Sequence, residues 1–180
     1  MGILGFFSST APGTTTSNDM FRRRGMTILE LMIVVSIIGL LSVIAIPAFL
    51  RARLSSQNAV FKNDLRRLSG DIFDLYALDN GDLPPDAPMA TMPTGTVTYL
   101  PKQFDWSERT SIGGNWDWDR AATRGTKIHG GACYAAITIV NPGRTASQME
   151  AIDAEIDDGD LNSSNFRSVG ASTYIMIVEP

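Results

Sequence analysis

The chain has 180 residues, a net charge of −4 and a single cysteine. That length bounds it to one modest domain beside a membrane segment, and the lone Cys133 excludes an intrachain disulfide, so the core must hold by packing. Charge is unevenly spread: residues 81–180 carry seven basic and thirteen acidic side chains, net −6, and an acidic surface repels phosphate backbones, which argues against nucleic-acid binding there.

Residues 1–25 read as a leader. Residues 8–18 are rich in Ser and Thr and poor in apolar side chains, the composition of a disordered stretch. The basic block Arg22-Arg23-Arg24 then meets Gly25. From Leu31 to Leu50 there is no charged residue, a run of 20 residues that matches a bilayer span. An ordinary secretory signal would end in a small-residue cleavage site, but Pro47 sits between Ala45 and Ala48. Residues 26–50 are therefore expected to form a transmembrane or assembly helix, interrupted by Gly39 and Pro47, with Pro47 kinking or loosening it.

Residues 51–80 continue the helix in amphipathic form. Phe61, Leu65, Leu68, Ile72 and Leu75 recur at steps of four and three, one apolar stripe, while most charged residues take the other faces. Asn80-Gly81 supplies the stop, with Pro84-Pro85 beyond.

Residues 81–180 are expected to fold as an α+β head. Val97 to Leu100 reads as a strand, and Ile112-Gly113-Gly114-Asn115 as a hairpin turn. Trp116 and Trp118 alternate with Asp117 and Asp119, which puts indoles on one sheet face and carboxylates on the other. Cys133 to Val140 is an apolar strand ended by Asn141-Pro142-Gly143. Thr145 to Asp157 reads as a short helix lined by Met149, Ile152 and Ile156, with a capping box from Thr145 and Gln148 or from Ser147 and Glu150. A turn at Asp158-Gly159-Asp160 and a strand from Tyr174 to Val178 complete the chain.

Glu30 is the anomaly. A carboxylate just inside a membrane-length run costs roughly 2.5–3.5 kcal/mol on insertion scales, so it calls for a partner. A cut after Gly25 would leave Met26 with a free ammonium four residues from Glu30. Burying both charges as a pair, within one helix or between neighbouring helices, costs far less than burying either alone.

The stretch Arg24-Gly25-Met26-Thr27-Ile28-Leu29-Glu30-Leu31-Met32-Ile33-Val34-Val35 resembles the leader and helix start of type IV pilins and type II secretion pseudopilins. The likeness spans about residues 22–55 and includes Pro47; Met26 and Ile28-Leu29 stand where many relatives have Phe and Leu-Ile. The resemblance implies cleavage after Gly25 by a membrane prepilin peptidase, N-methylation of Met26, and an assembly ion pair between Glu30 and Met26. It also implies a cytoplasmic leader and an exported head on a single-pass protein of the bacterial inner membrane; charge alone leaves topology open, since Arg51 and Arg53 lie on the other side of the run. The fold it implies is a long helix, half transmembrane and half amphipathic, packed on a small antiparallel sheet.

More loosely, Leu75 to Pro84 is similar to the helix-end segment of major pseudopilins, and Ile156-Asp157-Asp158-Gly159 to a segment of pseudopilin-like proteins. Many type IV pilins close a C-terminal loop with two cysteines; one cysteine tilts the reading toward a pseudopilin. The implied partners are the prepilin peptidase, other pilin or pseudopilin subunits and an inner-membrane assembly platform, with no nucleic acid.

Other site-like features are weaker. Asp157, Asp158, Asp160 and Asn162 are oxygen-rich and begin like a calcium loop, but Ser163 and Val169 stand where Gly and Glu are required. Major pseudopilins bind calcium near their C-terminus, which raises that reading; a solvated helix-end turn is the competing one. No cofactor is otherwise required. His129 with Cys133 is the one thiol–imidazole combination, against which stands a buried inert thiol. Trp106, Trp116 and Trp118 suit either a sugar platform or a core. The sequence therefore points to a non-catalytic structural subunit of a type II secretion pseudopilus. Alternatives are a type IV pilin or minor pilin used in adhesion, twitching or DNA uptake, and a membrane-anchored calcium- or glycan-binding module.

Overall fold

The computed structural model describes residues 26–101 and 104–180; the leader, with Arg22 to Gly25, lies outside the described residues. Thr27 opens helix α1, Ile28–Arg66, by accepting the Glu30 backbone N–H on its Oγ1 at 3.2 Å. Gly39 and Pro47 both lie inside α1. Pro47 has no N–H to give, so the helix lacks one backbone bond there. The described chain divides into two compact units, one ending at Ala45 and one running Ile46–Pro180.

Four of the five stripe residues, Phe61, Leu65, Leu68 and Ile72, are buried, but the regular spacing does not hold to Leu75. α1 gives way to a π-helical segment, Arg67–Ile72, before α2, Phe73–Asn80. The wider turn around Gly70 changes the helical phase, so Phe73 is buried in place of Leu75, which is half exposed. Gly81 ends α2 in the left-handed conformation at φ 79°, where its N–H bonds the Ala77 carbonyl.

The expected strand at 97–100 does not form. Gly95 is left-handed, and Thr96 turns its hydroxyl onto the Pro93 carbonyl at 2.7 Å, which winds Thr96–Thr98 into a single 3-10 turn. Tyr99 then reaches back to Asp79, hydroxyl to carboxylate at 2.8 Å. Local side-chain bonds have outcompeted β propensity.

Four strands form one antiparallel sheet in the order β1-β2-β4-β3: β1 Asn115–Arg120, β2 Ala135–Val140, β3 Phe166–Gly170 and β4 Thr173–Glu179. The Gly113-Gly114 turn precedes β1 as expected, with φ of 86° and 81°; a Cβ on Gly114 would lie 2.6 Å from the Val140 carbonyl oxygen. β2 starts two residues later than expected, because Cys133 pairs with Ile128 in a separate bridge. α3, Ala146–Ile156, carries the full capping box of Thr145 with Gln148, not the Ser147–Glu150 alternative.

Period two along β1 holds. Trp116 and Trp118 are buried, and their faces meet the helical stripe: Phe61 stacks on Trp116 with centroids 5.6 Å apart, and Phe73 on Trp118 at 3.9 Å. Ile137, Ile139, Phe166, Met149 and Ile152 close this core. Trp106 is buried with them, so no tryptophan platform is open to a sugar; the glycan reading of the three indoles is corrected to core packing. On the opposite sheet face a smaller cluster of Ala136, Ile175, Ile177 and Cys133 is covered by Ile128 and Ala132 from the β1–β2 connection.

Both sheet edges are occupied. Along β1, the Ala90 and Ala87 N–H groups bond the Trp116 and Trp118 carbonyls, and Asp86 accepts from the Arg120 N–H. Along β3, the Ser168 N–H bonds the Leu161 carbonyl and Asp157 accepts from the Phe166 N–H.

Candidate functional site: the apolar helix and its carboxylate

The start of α1 is built from a Thr-x-x-Glu sequence. Thr27 is the cap and Glu30 the third helical residue, a spacing that the sequence displays but the argument from charge had passed over. The Glu30 carboxylate is exposed and, among the described residues, has no ion-pair or hydrogen-bond partner. It sits in the first turn, where the helix dipole favours a negative charge. Met26 is 60% exposed, and Gly25, the other half of the expected cleavage site, lies outside the described residues.

From Leu31 to Leu50 the helix carries no charged side chain. Ser36 and Ser42 each donate to the carbonyl four residues back, Met32 and Ile38, at 2.7 Å. Their hydroxyls are thereby satisfied within the helix, as hydrocarbon requires. The helix is long and apolar enough to cross a membrane by length and composition, with mean hydropathy 2.7 in its best window and none of that window buried.

The acidic turn after α3 is organised around its own backbone. Asp157 accepts from the Asn165 N–H at 2.6 Å. Asp158 accepts from Ser164, Ser163 and the Asp160 N–H, which hold its carboxyl below the usual range. Asn162 does the same for Asp160 through its N–H and its amide at 3.0 and 2.8 Å. Among the described residues no group of three or more His, Cys, Asp or Glu side chains converges as a metal site. One neighbour escaped the sequence reading. Asp153 on α3 is fully buried, and among the described residues neither carboxylate oxygen has a well-formed hydrogen bond; burial, reinforced by the charges of Asp158 and Asp157, outweighs the nearby Gly159 N–H and pushes its pKa up to about 6. Only its position on the Met149–Ile152–Ile156 face could have revealed it.

On the outer sheet face His129 meets Asp119, not Cys133. Its Nε2 lies 3.1 Å from Asp119 Oδ2, to which the Thr138 hydroxyl also donates. Burial pushes Asp119 up, but the bonds from His129 and Thr138 outweigh it and hold the carboxyl low. Asp117 beside it is driven to about 6 by burial and by the Asp119 charge. Cys133 is fully buried and burial pushes its thiol up, which makes it the inert reading of the two.

Residues 20–46 match the family model described as the prokaryotic N-terminal methylation motif. The chain thus carries a prepilin-type methylation motif at the head of a membrane-length helix. It is 49% identical over 47 residues to the type IV major pilin protein PilA of Myxococcus xanthus, a match covering 26% of this chain and 21% of that protein. It is 35% identical over 65 residues to the type II secretion system core protein G of Klebsiella pneumoniae, covering 36% of this chain and 46% of that protein. The chain therefore spans less than half the length of these curated relatives. No solved structure matches it.

Proposed function

We propose that this chain is a structural subunit of a type II secretion pseudopilus, without catalysis of its own, that polymerises through its N-terminal helix. One observation carries the reading: among the described residues Glu30 is a carboxylate without a partner, at the start of a helix whose following run is apolar and exposed. Such a surface needs lipid or neighbouring helices around it. A prepilin peptidase would cut after Gly25 and methylate Met26. The helix would hold the subunit in the bacterial inner membrane, leader inward and head in the periplasm, until the assembly platform adds it to a fibre of like and related subunits. There, Glu30 of one copy would neutralise the Met26 ammonium of another. Gly39 and Pro47 are the places where the helix would yield as it repacks.

Mass spectrometry of protein from a peptidase-competent host should show a chain beginning at N-methylated Met26. An intact leader in that host overturns the reading. Glu30→Ala should be processed and inserted normally yet enter fibres poorly; unchanged incorporation removes the ion pair. The single cysteine and acidic head favour a pseudopilin over a type IV pilin. Deletion of the gene should then abolish protein secretion and spare twitching, and the reverse pattern would make it a pilin.

A cation at the turn after α3 is a second reading, favoured by one observation: the buried Asp153 carboxylate, without a well-formed hydrogen bond among the described residues, near the charges of Asp157, Asp158 and Asp160. Asn162 would complete the oxygen set. Calorimetry with calcium should show binding that Asp158→Ala with Asp160→Ala removes; no heat with the unaltered chain rejects it.

A further inference from the structure

Arg51 and Arg53 follow the apolar run at once, both are exposed, and among the described residues neither meets a carboxylate. The next acidic residue along α1 is Asp64. Two residues apart on a helix of 3.6 residues per turn, their side chains leave the axis about 200° apart and only about 3 Å apart in height. A protein partner covers one side of a helix. A layer of headgroups surrounds it.

Arg22, Arg23 and Arg24 already place positive charge before the run. Cations at the far end oppose that bias and are not explained by insertion. We propose that Arg51 and Arg53 form a collar that binds the phosphates of anionic phospholipids in the leaflet on the head's side of the membrane. The inference rests on the membrane reading above. Each planar guanidinium can grip a phosphate through two parallel N–H bonds, and its apolar stem can lie along the helix while the charge reaches the headgroups. A subunit leaving the bilayer for a fibre must release these lipids, so the collar tethers the membrane-stored form.

The test uses the full chain in nanodiscs of equal phosphatidylglycerol and phosphatidylcholine, with retained lipids counted by native mass spectrometry. The unaltered chain should keep phosphatidylglycerol over phosphatidylcholine. Arg51→Gln with Arg53→Gln should weaken that preference by about five-fold for each guanidinium removed. Arg66→Gln with Arg67→Gln, further along the exposed helix surface, should leave it intact. No preference in the unaltered chain, a preference that survives the Arg51/Arg53 change, or equal loss in both variants overturns the proposal. Displacement of the lipid by millimolar inorganic phosphate also overturns it, because the site would then read free phosphate. Alkaline-carbonate extraction of host membranes separates the two levels of failure. A chain that washes out defeats the proposed function, whereas an embedded chain without lipid preference defeats only the collar.

Discussion

The helix up to Leu41 and the sheet core are both rich in large apolar side chains, but they use them oppositely. Every residue from Met26 to Leu41 is exposed, whereas Phe61, Phe73, Trp116 and Trp118 are buried against one another. In the head, apolar surface is consumed in making the fold. In the helix from Met26 to Leu41 it stays exposed. A substitution should therefore cost stability in one region and association in the other.

Trp118→Ala gives the sharpest contrast. The indole is fully buried, stacks on Phe73 and donates from Nε1 to the Pro84 carbonyl at 3.1 Å. Its removal should destabilise the detergent-solubilised chain by about 3–5 kcal/mol in denaturant unfolding. A loss under 1 kcal/mol would mean that the stacked core is not what holds the head.

Asp153 tests whether the head core is apolar throughout. Its folded pKa of about 6 lies above the ordinary 3.8, so the fold favours the protonated form. Stability from this group is full below its unfolded value and is lost as pH rises through about 6. Asp153→Asn should stabilise the chain at pH 7 by on the order of 1–3 kcal/mol and change little at pH 4. Asp117, also raised to about 6, titrates in the same window, so part of the slope should survive in the variant. Destabilisation at pH 7 in calcium buffer, reversed by a chelator, would instead identify Asp153 as a cation ligand.

Thr145→Ala removes one half of the α3 capping box and should cost about 1 kcal/mol, read as a shift in the unfolding midpoint. The smallest effect belongs to the other region. Val34→Ala should leave head unfolding within about 0.5 kcal/mol of the unaltered chain. A larger shift would show that the apolar helix stabilises the head and would erase the contrast between the regions.

What the sequence discloses differs along the same line. The first region is governed by local rules: an uncharged run, a Thr-x-x-Glu start and a misplaced acid can all be read from neighbours in the chain. The head depends on meetings of distant residues. The Trp-Asp alternation of β1 and the α3 box were legible because period and spacing encode them. β3 was not, since Phe166–Gly170 is short and polar and becomes a strand only by pairing with β4. The 3-10 turn at Thr96 depended on bonds to Pro93 and Asp79 that no β-propensity scale contains. The Asp119–His129–Thr138 cluster required the β1–β2 connection to fold back over the sheet, which spacing alone does not encode.

The guarded sheet edges gain meaning from the setting proposed for the head. Subunits in a fibre hold their heads at very high local concentration, where an open strand would recruit its neighbour and seed cross-β aggregation. With β1 bordered by Ala87 and Ala90, and β3 by Asp157 and Leu161, neither margin offers a free ladder. In the proposed fibre, heads meeting at these margins would do so through side chains and not by adding a strand.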